Sequence, residues 1–197
     1  PTMGNHEYSG GSPWMYIRLL ALPENGPVTV PPEHGYALRY SNALFLILDS
    51  NLPPEKQTAW IEQQLSSTDA VWKFLVFHHP LYSSHPRRDN VELRAIWGEI
   101  FDRYHVDMAL QGHDHAYLRT YPMYDEKRVD SPAEGTIYIV SNSGTKMYGQ
   151  DDRFYTEVGF TNVSTFQVLD ITIDGDRLEY RTYDHDGELR DEFIIEK

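Results

Sequence analysis

The sequence predicts an α/β layered fold that ends in an antiparallel β meander, and three observations carry that reading. Between residues 36 and 110, short apolar runs of strand type alternate with segments whose apolar residues recur at helical spacing. Beyond residue 160 the helical spacing stops, and strand-type segments follow one another across Asp174-Gly175 and Asp186-Gly187 turn dipeptides. At 197 residues, with 40% hydrophobic and 13% aromatic content, the chain has the material for a sizeable core.

The elements follow in order. After a Gly/Pro/Ser-rich loop from Ser9 to Pro13, the chain reads as irregular through Pro32. Tyr36 to Tyr40 and Ala43 to Leu48 read as two strands around a Ser41-Asn42 turn. Pro53-Pro54 opens a helix to about Leu65, with Trp60, Ile61 and Leu65 on one side and proline suited to its first turn. Val71 to Phe77 is a strand that delivers His78 at its carboxyl end. Asp89 or Asn90 is placed to cap a second helix, where Leu93, Ile96, Trp97, Ile100, Phe101 and Tyr104 recur at helical spacing. A short strand from Val106 to Leu110 leads toward Gly112. Thr136 to Val140, Val163 to Ile173, Leu178 to Tyr183 and Leu189 to Ile195 are the remaining strands, the last three forming a meander packed onto the same body. Neither an internal repeat nor a low-complexity linker divides the chain, so residues 1–197 read as one domain.

Charge and composition narrow the chemistry. A formal charge of −13 argues against a nucleic-acid backbone as partner and against docking on anionic membranes. It does not argue against a site for phosphate, provided that metal cations supply the local positive charge. The absence of cysteine removes thiolate ligands and disulfides, leaving His, Asn, Asp, Glu and Tyr as donors. No apolar run approaches the length of a membrane span.

Three short clusters carry the chemistry: Gly4-Asn5-His6-Glu7, His78-His79-Pro80 and Gly112-His113-Asp114-His115. His113 and His115 stand two apart just past an apolar strand, where a loop lets them diverge toward two neighbouring metals; Gly112 permits the turn. His78 and His79 follow the apolar run Phe74-Leu75-Val76-Phe77 and precede a strand-ending proline. Adjacent side chains on a strand face opposite ways, so only one of the two is expected as a ligand; His78 is favoured, with His79 kept as an outer candidate. Asn5 offers a neutral amide oxygen that binds a cation without quenching its Lewis acidity, and His6 beside it can address a substrate's oxygens. Taken singly, each cluster also has a plain reading as solvated loop histidines or a Gly-Asn turn.

As an ordered set, GNHE (4–7), FHHP (77–80) and GHDH (112–115) resemble the later motifs of the calcineurin-like metallophosphoesterase superfamily. The extensions GNHEY (4–8) and GHDHAYLRTYP (112–122) are similar to those of the purple acid phosphatases within it. The resemblance runs over nearly the whole chain. It implies a metallophosphoesterase-type layered β-sandwich flanked by helices, and hydrolysis of phosphate esters by a metal-bridging hydroxide. By position, Asn5, His78 and His113 would hold one metal and His115 the other, while His6 would contact phosphate. His79 and His85 would be substrate-facing or outer residues, with a solvated loop histidine as the plain reading of His85. The implied cofactors are two metal ions (Fe, Zn or Mn) in the complete enzyme, and the implied location is extracytoplasmic or secreted.

The earlier motifs of that superfamily, which carry its bridging aspartate and its tyrosine ligand, are absent, so the amino-terminal half of the fold reads as missing. Every ligand candidate here is neutral, and zero or one firmly bound metal is expected of the chain alone. Glu7, Asp49 and Asp114 are the nearby acids, and each reads first as a surface or capping group. A phosphate ester is the expected substrate, with self-association or a partner supplying the upstream half. A non-catalytic metal-binding or interaction module derived from such an enzyme stays open as the alternative.

Overall fold

The computed structural model describes residues 1–142, 144–172 and 175–197, with residues 165–172 as backbone only. Its elements are α1 (Trp14–Leu19), β1 (Tyr36–Tyr40), β2 (Ala43–Ile47), α2 (Glu55–Ser67), β3 (Trp72–Val76) and α3 (Val91–Leu93). A π-helical turn, Arg94–Gly98, joins α3 to α4 (Glu99–Arg103). Then come β4 (Met108–Gln111), β5 (Tyr117–Thr120), β6 (Met123–Tyr124), β7 (Lys127–Arg128), β8 (Ile137–Val140) and β9 (Thr156–Phe160). The chain closes with β10 (Thr165–Thr172), β11 (Arg177–Asp184) and β12 (Leu189–Glu196).

A seven-stranded sheet in the order β1-β2-β3-β4-β8-β5-β9 forms the middle layer. Strands β2, β3, β4 and β8 are parallel, and the outer pairings are antiparallel. The central strands read as nearly unbroken apolar runs because both of their faces are covered. Register divides those faces cleanly. Phe45, Phe74, Met108 and Ile137 lie side by side and face the three-stranded sheet β10-β11-β12, meeting Leu178, Tyr180 and Ile195. Leu46, Leu75, Ala109 and Tyr138, one residue further along, face the helices and meet Trp60, Ile61, Leu65, Trp97 and Phe101. The result is a helix–sheet–sheet sandwich, the layered α/β fold read from the sequence.

A buried polar network ties the two sheets together. Arg119 on β5 donates to both carboxylate oxygens of Asp191 on β12, at 2.7 and 3.0 Å, and its other Nη reaches Glu157 on β9. The Tyr117 hydroxyl donates to the same Asp191 carboxylate at 2.7 Å. The stacked Tyr117 and Phe160 rings, with centroids 4.5 Å apart, extend the contact to β9.

Several elements differ from the sequence reading. The stretch after Pro13 contains the short helix α1, whose residues are all at least partly exposed. The strand expected over Thr136 to Val140 is β8, Ile137–Val140, and its place inside the main sheet, parallel to β4, was not read from the sequence. Strands β5 and β9 and the β6-β7 hairpin were not expected; each is short, and β5 is masked by the ligand motif that runs into it. Neither Asp89 nor Asn90 caps α3 with its side chain: Asn90 donates to the Pro80 carbonyl at 2.6 Å and Asp89 pairs with Arg94. The meander appears as β10-β11-β12, but Ile173 and Asp174 lie outside the described residues. Among the described residues no helix is long and apolar enough to cross a membrane.

Removing Asp191 would leave Arg119 buried with Glu157 as its remaining carboxylate and the Tyr117 hydroxyl with only the longer contact to the Tyr180 hydroxyl at 3.2 Å. Asp191→Ala is therefore expected to lower unfolding free energy by about 3–5 kcal/mol, read from urea denaturation midpoints.

Candidate metal centre

The parallel strands deliver the site. Ladder bonds continue past the formal strand ends, with Phe77 N–H donating to Leu110 O at 3.1 Å and Gly112 N–H to His78 O at 3.0 Å. His78 is thereby held beside the Gly112–His115 loop at the carboxyl edge of the sheet, where open α/β sheets characteristically gather their functional groups. The amino-terminal segment reaches the same edge through Asn51, whose Nδ2 lies 3.4 Å from Met3 O and 3.3 Å from Gly4 O. Gly4 is required by close approach: a Cβ there would stand 2.9 Å from Glu7 Oε2 and 3.1 Å from His78 Nδ1. Only a residue without a side chain lets the Asn5 loop lie this close to the histidine.

Three donor atoms converge. His78 Nε2 lies 2.8 Å from Asn5 Oδ1 and 3.0 Å from His113 Nδ1. One ring nitrogen cannot satisfy both neighbours as a single hydrogen-bond donor, so two lone pairs face a common point. These separations suit donors placed about 2.0–2.2 Å from one shared cation, and neutral imidazole and amide donors suit Zn²⁺ or Fe. His79 joins them: its ring centroid is 4.5 Å from that of His113, and donor atoms of His78, His79 and His113 all lie within 4.8 Å of one another. The strand rule that set His79 aside does not apply, because β3 ends at Val76 and the chain bends through His78-His79. His79 Nδ1 meets Ser50 Oγ at 2.9 Å, and the same hydroxyl accepts from the His79 backbone N–H, which orients the ring.

Electrostatics keep this cluster neutral. Burial, reinforced by neighbouring histidines and Arg88, pushes the His78 imidazole down to about 4 and that of His113 to about 3. His79 is also shifted down, chiefly by burial. Unprotonated imidazole is the form that ligates a metal, so these rings stay competent in mildly acidic solution.

His115 points elsewhere. Its Nδ1 donates to Lys146 O at 2.9 Å, and its ring lies against Tyr148, with centroids 4.6 Å apart. Tyr148 also contacts the His85 ring at 5.3 Å and lies under the guanidinium of Arg88 at 5.2 Å. His6 is exposed beside the cluster, near enough for its charge to act on His78. The turn at Gly112 differs from the expectation: its φ is not positive, and the left-handed backbone falls on His113 (φ 74°) and His115 (φ 52°). The aspartates differ too. Asp49 and Asp114 are fully buried, so neither is a surface group, although Asp49 Oδ1 does cap a turn by accepting from the Asn51 backbone N–H at 3.0 Å. Asp49 accepts from Tyr8, lies 2.9 Å from His34 Nδ1 and binds Asn51. Burial opposes its ionisation, but these bonds win and hold the carboxyl below its ordinary range. Ser50, Asn51, Arg88, Lys146 and Tyr148 carry no motif, so proximity in space is the one signal that marks them.

The sequence model of the calcineurin-like phosphoesterases matches residues 1–117. The chain belongs to the calcineurin-like phosphoesterase family. Among curated relatives, this family member is 27% identical over 176 residues to a phosphoenolpyruvate phosphatase of Allium cepa, covering 78% of the chain and 36% of the relative. It is 28% identical over 170 residues to purple acid phosphatase 21 of Arabidopsis thaliana, covering 78% and 37%. Among solved structures, the purple acid phosphatase PPD1 from yellow lupin seeds superposes with a TM-score of 0.75 at 24% identity, over 85% of this chain and 34% of that one. That likeness establishes the fold. The chain spans about a third of the length of these relatives.

The pH response of the metal-free protein follows from the depressed imidazoles. Below about pH 6.5 the unfolded chain takes up protons that folded His78 and His113 refuse, so stability falls as pH drops toward 4. Urea midpoints measured in chelator from pH 7 to pH 4.5 should decline, and His78→Gln should flatten the slope.

Proposed function

We propose that this phosphoesterase chain carries the histidine-and-amide side of a metal-dependent phosphoester hydrolysis site, of the phosphatase type that its relatives' names describe. The observation that carries the reading is the convergence of Asn5 Oδ1, His78 Nε2 and His113 Nδ1 within hydrogen-bond distance at one sheet edge. Asn5, His78 and His113 would hold one metal ion, and His115 would face a second. When bound, such ions supply Lewis acidity to phosphoryl oxygens and lower the pKa of a water toward neutrality.

The chain's own residues have separable tasks in this scheme. His78 and His113 present lone pairs that burial keeps free of protons. Ser50 holds the His79 ring against them. Exposed His6, next to Asn5, donates a hydrogen bond to a phosphoryl or leaving-group oxygen and can pass a proton to it. His85, half-buried against Tyr148, stands on the side where the rest of the ester would extend. Phosphate esters are the substrate class, and the acidic surface disfavours a nucleic-acid backbone.

A second reading has its own support. The donor group among the described residues is His78, His79 and His113, with no carboxylate among them. Such a set lacks the negative charge that would offset two cations, which favours a non-catalytic metal-binding module for the chain by itself. Metal content and p-nitrophenyl phosphate turnover, measured on one preparation, separate the two: metal with turnover supports the hydrolase, and metal without turnover supports the module.

Two outcomes are expected of the hydrolase. The 197-residue chain alone should hold at most one metal firmly and turn over weakly, as elemental analysis and the colorimetric assay will read. In the fully active protein, His6→Ala should lower turnover by about 10²–10⁴-fold with metal content intact, whereas Ala at Asn5, His78, His113 or His115 should remove metal and activity together.

A further inference from the structure

The backbone around His113 is held in a conformation that its residue type does not favour, and something must hold it there. Asp114 N–H donates to Gly112 O at 2.9 Å, closing a three-residue turn whose central residue, His113, has φ 74°. A γ-turn with positive φ is rare and strained, and His115, with φ 52°, adds a second left-handed residue one position beyond Asp114. Such backbone persists only where its surroundings over-determine it.

The surroundings converge on Asp114. Its side chain is fully buried, directly between two half-buried histidines in sequence. Ser83 Oγ donates to Oδ2 at 2.6 Å, and Arg88 Nη1 donates to Oδ1 at 3.1 Å. The same Arg88 nitrogen also donates to His113 O at 3.1 Å, so one guanidinium grips both the carboxylate and the strained turn. Ser83 is fixed in turn, since Tyr155 OH donates to its carbonyl at 2.6 Å. The 81–88 segment continues the chain that carries His78 and His79. The Ser83–Asp114–Arg88 bonds therefore lock the loop after one pair of histidines to the loop that carries the other.

We propose that Asp114 is a positioning residue: through Ser83 and Arg88 it sets the left-handed turn that aims His113 at His78 and leaves His115 against Tyr148. A neutral asparagine keeps an acceptor oxygen for only one of the two partners: with that oxygen toward Arg88, its N–H must meet Ser83 Oγ, which reverses that bond and removes the carboxylate charge that the guanidinium pairs with. With the lock broken, the turn relaxes and His113 leaves its place 3.0 Å from His78 Nε2. The consequence for metal affinity rests on the metal reading above; the consequence for ring geometry does not. Groups that orient metal-binding histidines in this way typically change affinity by about 10–100-fold when altered.

The test uses Zn²⁺ alone as ligand and four variants of the chain: Asp114→Asn, Ser83→Ala, Arg88→Ala and Asp107→Asn. Asp107 is the control. It is also buried, at the other end of β4, where it accepts from Lys73 N–H at 2.8 Å and from Lys197 Nζ at 2.9 Å. Isothermal titration should show Zn²⁺ binding weakened about 10–100-fold by Asp114→Asn and less by each single-donor variant. Asp107→Asn should lower the melting temperature without changing the affinity. Nuclear Overhauser contacts between the His78 and His113 rings, in histidine-labelled protein, should vanish in Asp114→Asn and persist in Asp107→Asn. Wild-type Zn²⁺ affinity and intact ring contacts in folded Ser83→Ala and Arg88→Ala would overturn the proposal. Absence of Zn²⁺ binding by the wild type would overturn the metal reading instead, and the ring contacts would still decide the role of Asp114.

Discussion

In-register parallel pairing of β2, β3, β4 and β8 is the constraint on which the rest of this structure depends. Because Ile47, Val76, Leu110 and Ile139 stand side by side, all four strands end at one edge. Asp49, His78 and His113 follow the first three of those strands and so arrive together without any contact between them in sequence. A one-residue slip of β3 against β4 would send Phe74 and Leu75 to the wrong layers, exchanging the sandwich face for the helix face. The two apolar cores therefore police the register, and the register places the histidines.

Charge is arranged with the same economy. The chain is strongly acidic, yet the histidine cluster is kept neutral by burial and by its own mutual repulsion. The two buried aspartates nearest the cluster turn their carboxylates inward. Asp49 is engaged by Tyr8, His34 and Asn51, and Asp114 by Ser83 and Arg88. Both act on backbone and loops, so their negative charge shapes the site while leaving its donor atoms neutral. Asn51 makes this concrete: one amide bonds to Asp49 Oδ1 at 2.9 Å and reaches the carbonyls of Met3 and Gly4, directly before Asn5.

Much of the fold was legible along the chain. The central strands announced themselves as apolar runs of strand length, and α2 by its proline start and the spacing of Trp60, Ile61 and Leu65. What escaped was decided by long-range pairing. β5 and β9 are four- and five-residue strands that exist because they pair with one another and β5 with β8. Asn90 has the residue type of a cap, but the nearby Pro80 carbonyl claims its side chain. β8 reads as a strand in sequence, whereas its place in the main sheet is decided by parallel pairing with β4.

The sequence by itself marked the candidate donors: Asn5, His78, His113 and His115 stand out because three short motifs appear in order, each next to a glycine or a strand-ending proline. Family membership follows from the same residues. Only the tertiary structure decided how those donors are used. It brought His79 into the cluster, because a bend after β3 cancels strand alternation. It placed left-handed backbone on two histidines and not on Gly112, because buried bonds from Ser83 and Arg88 to Asp114 hold that turn closed. Motifs record which atoms can ligate, whereas direction and neutrality depend on burial and on partners dozens of residues away, which no local pattern encodes.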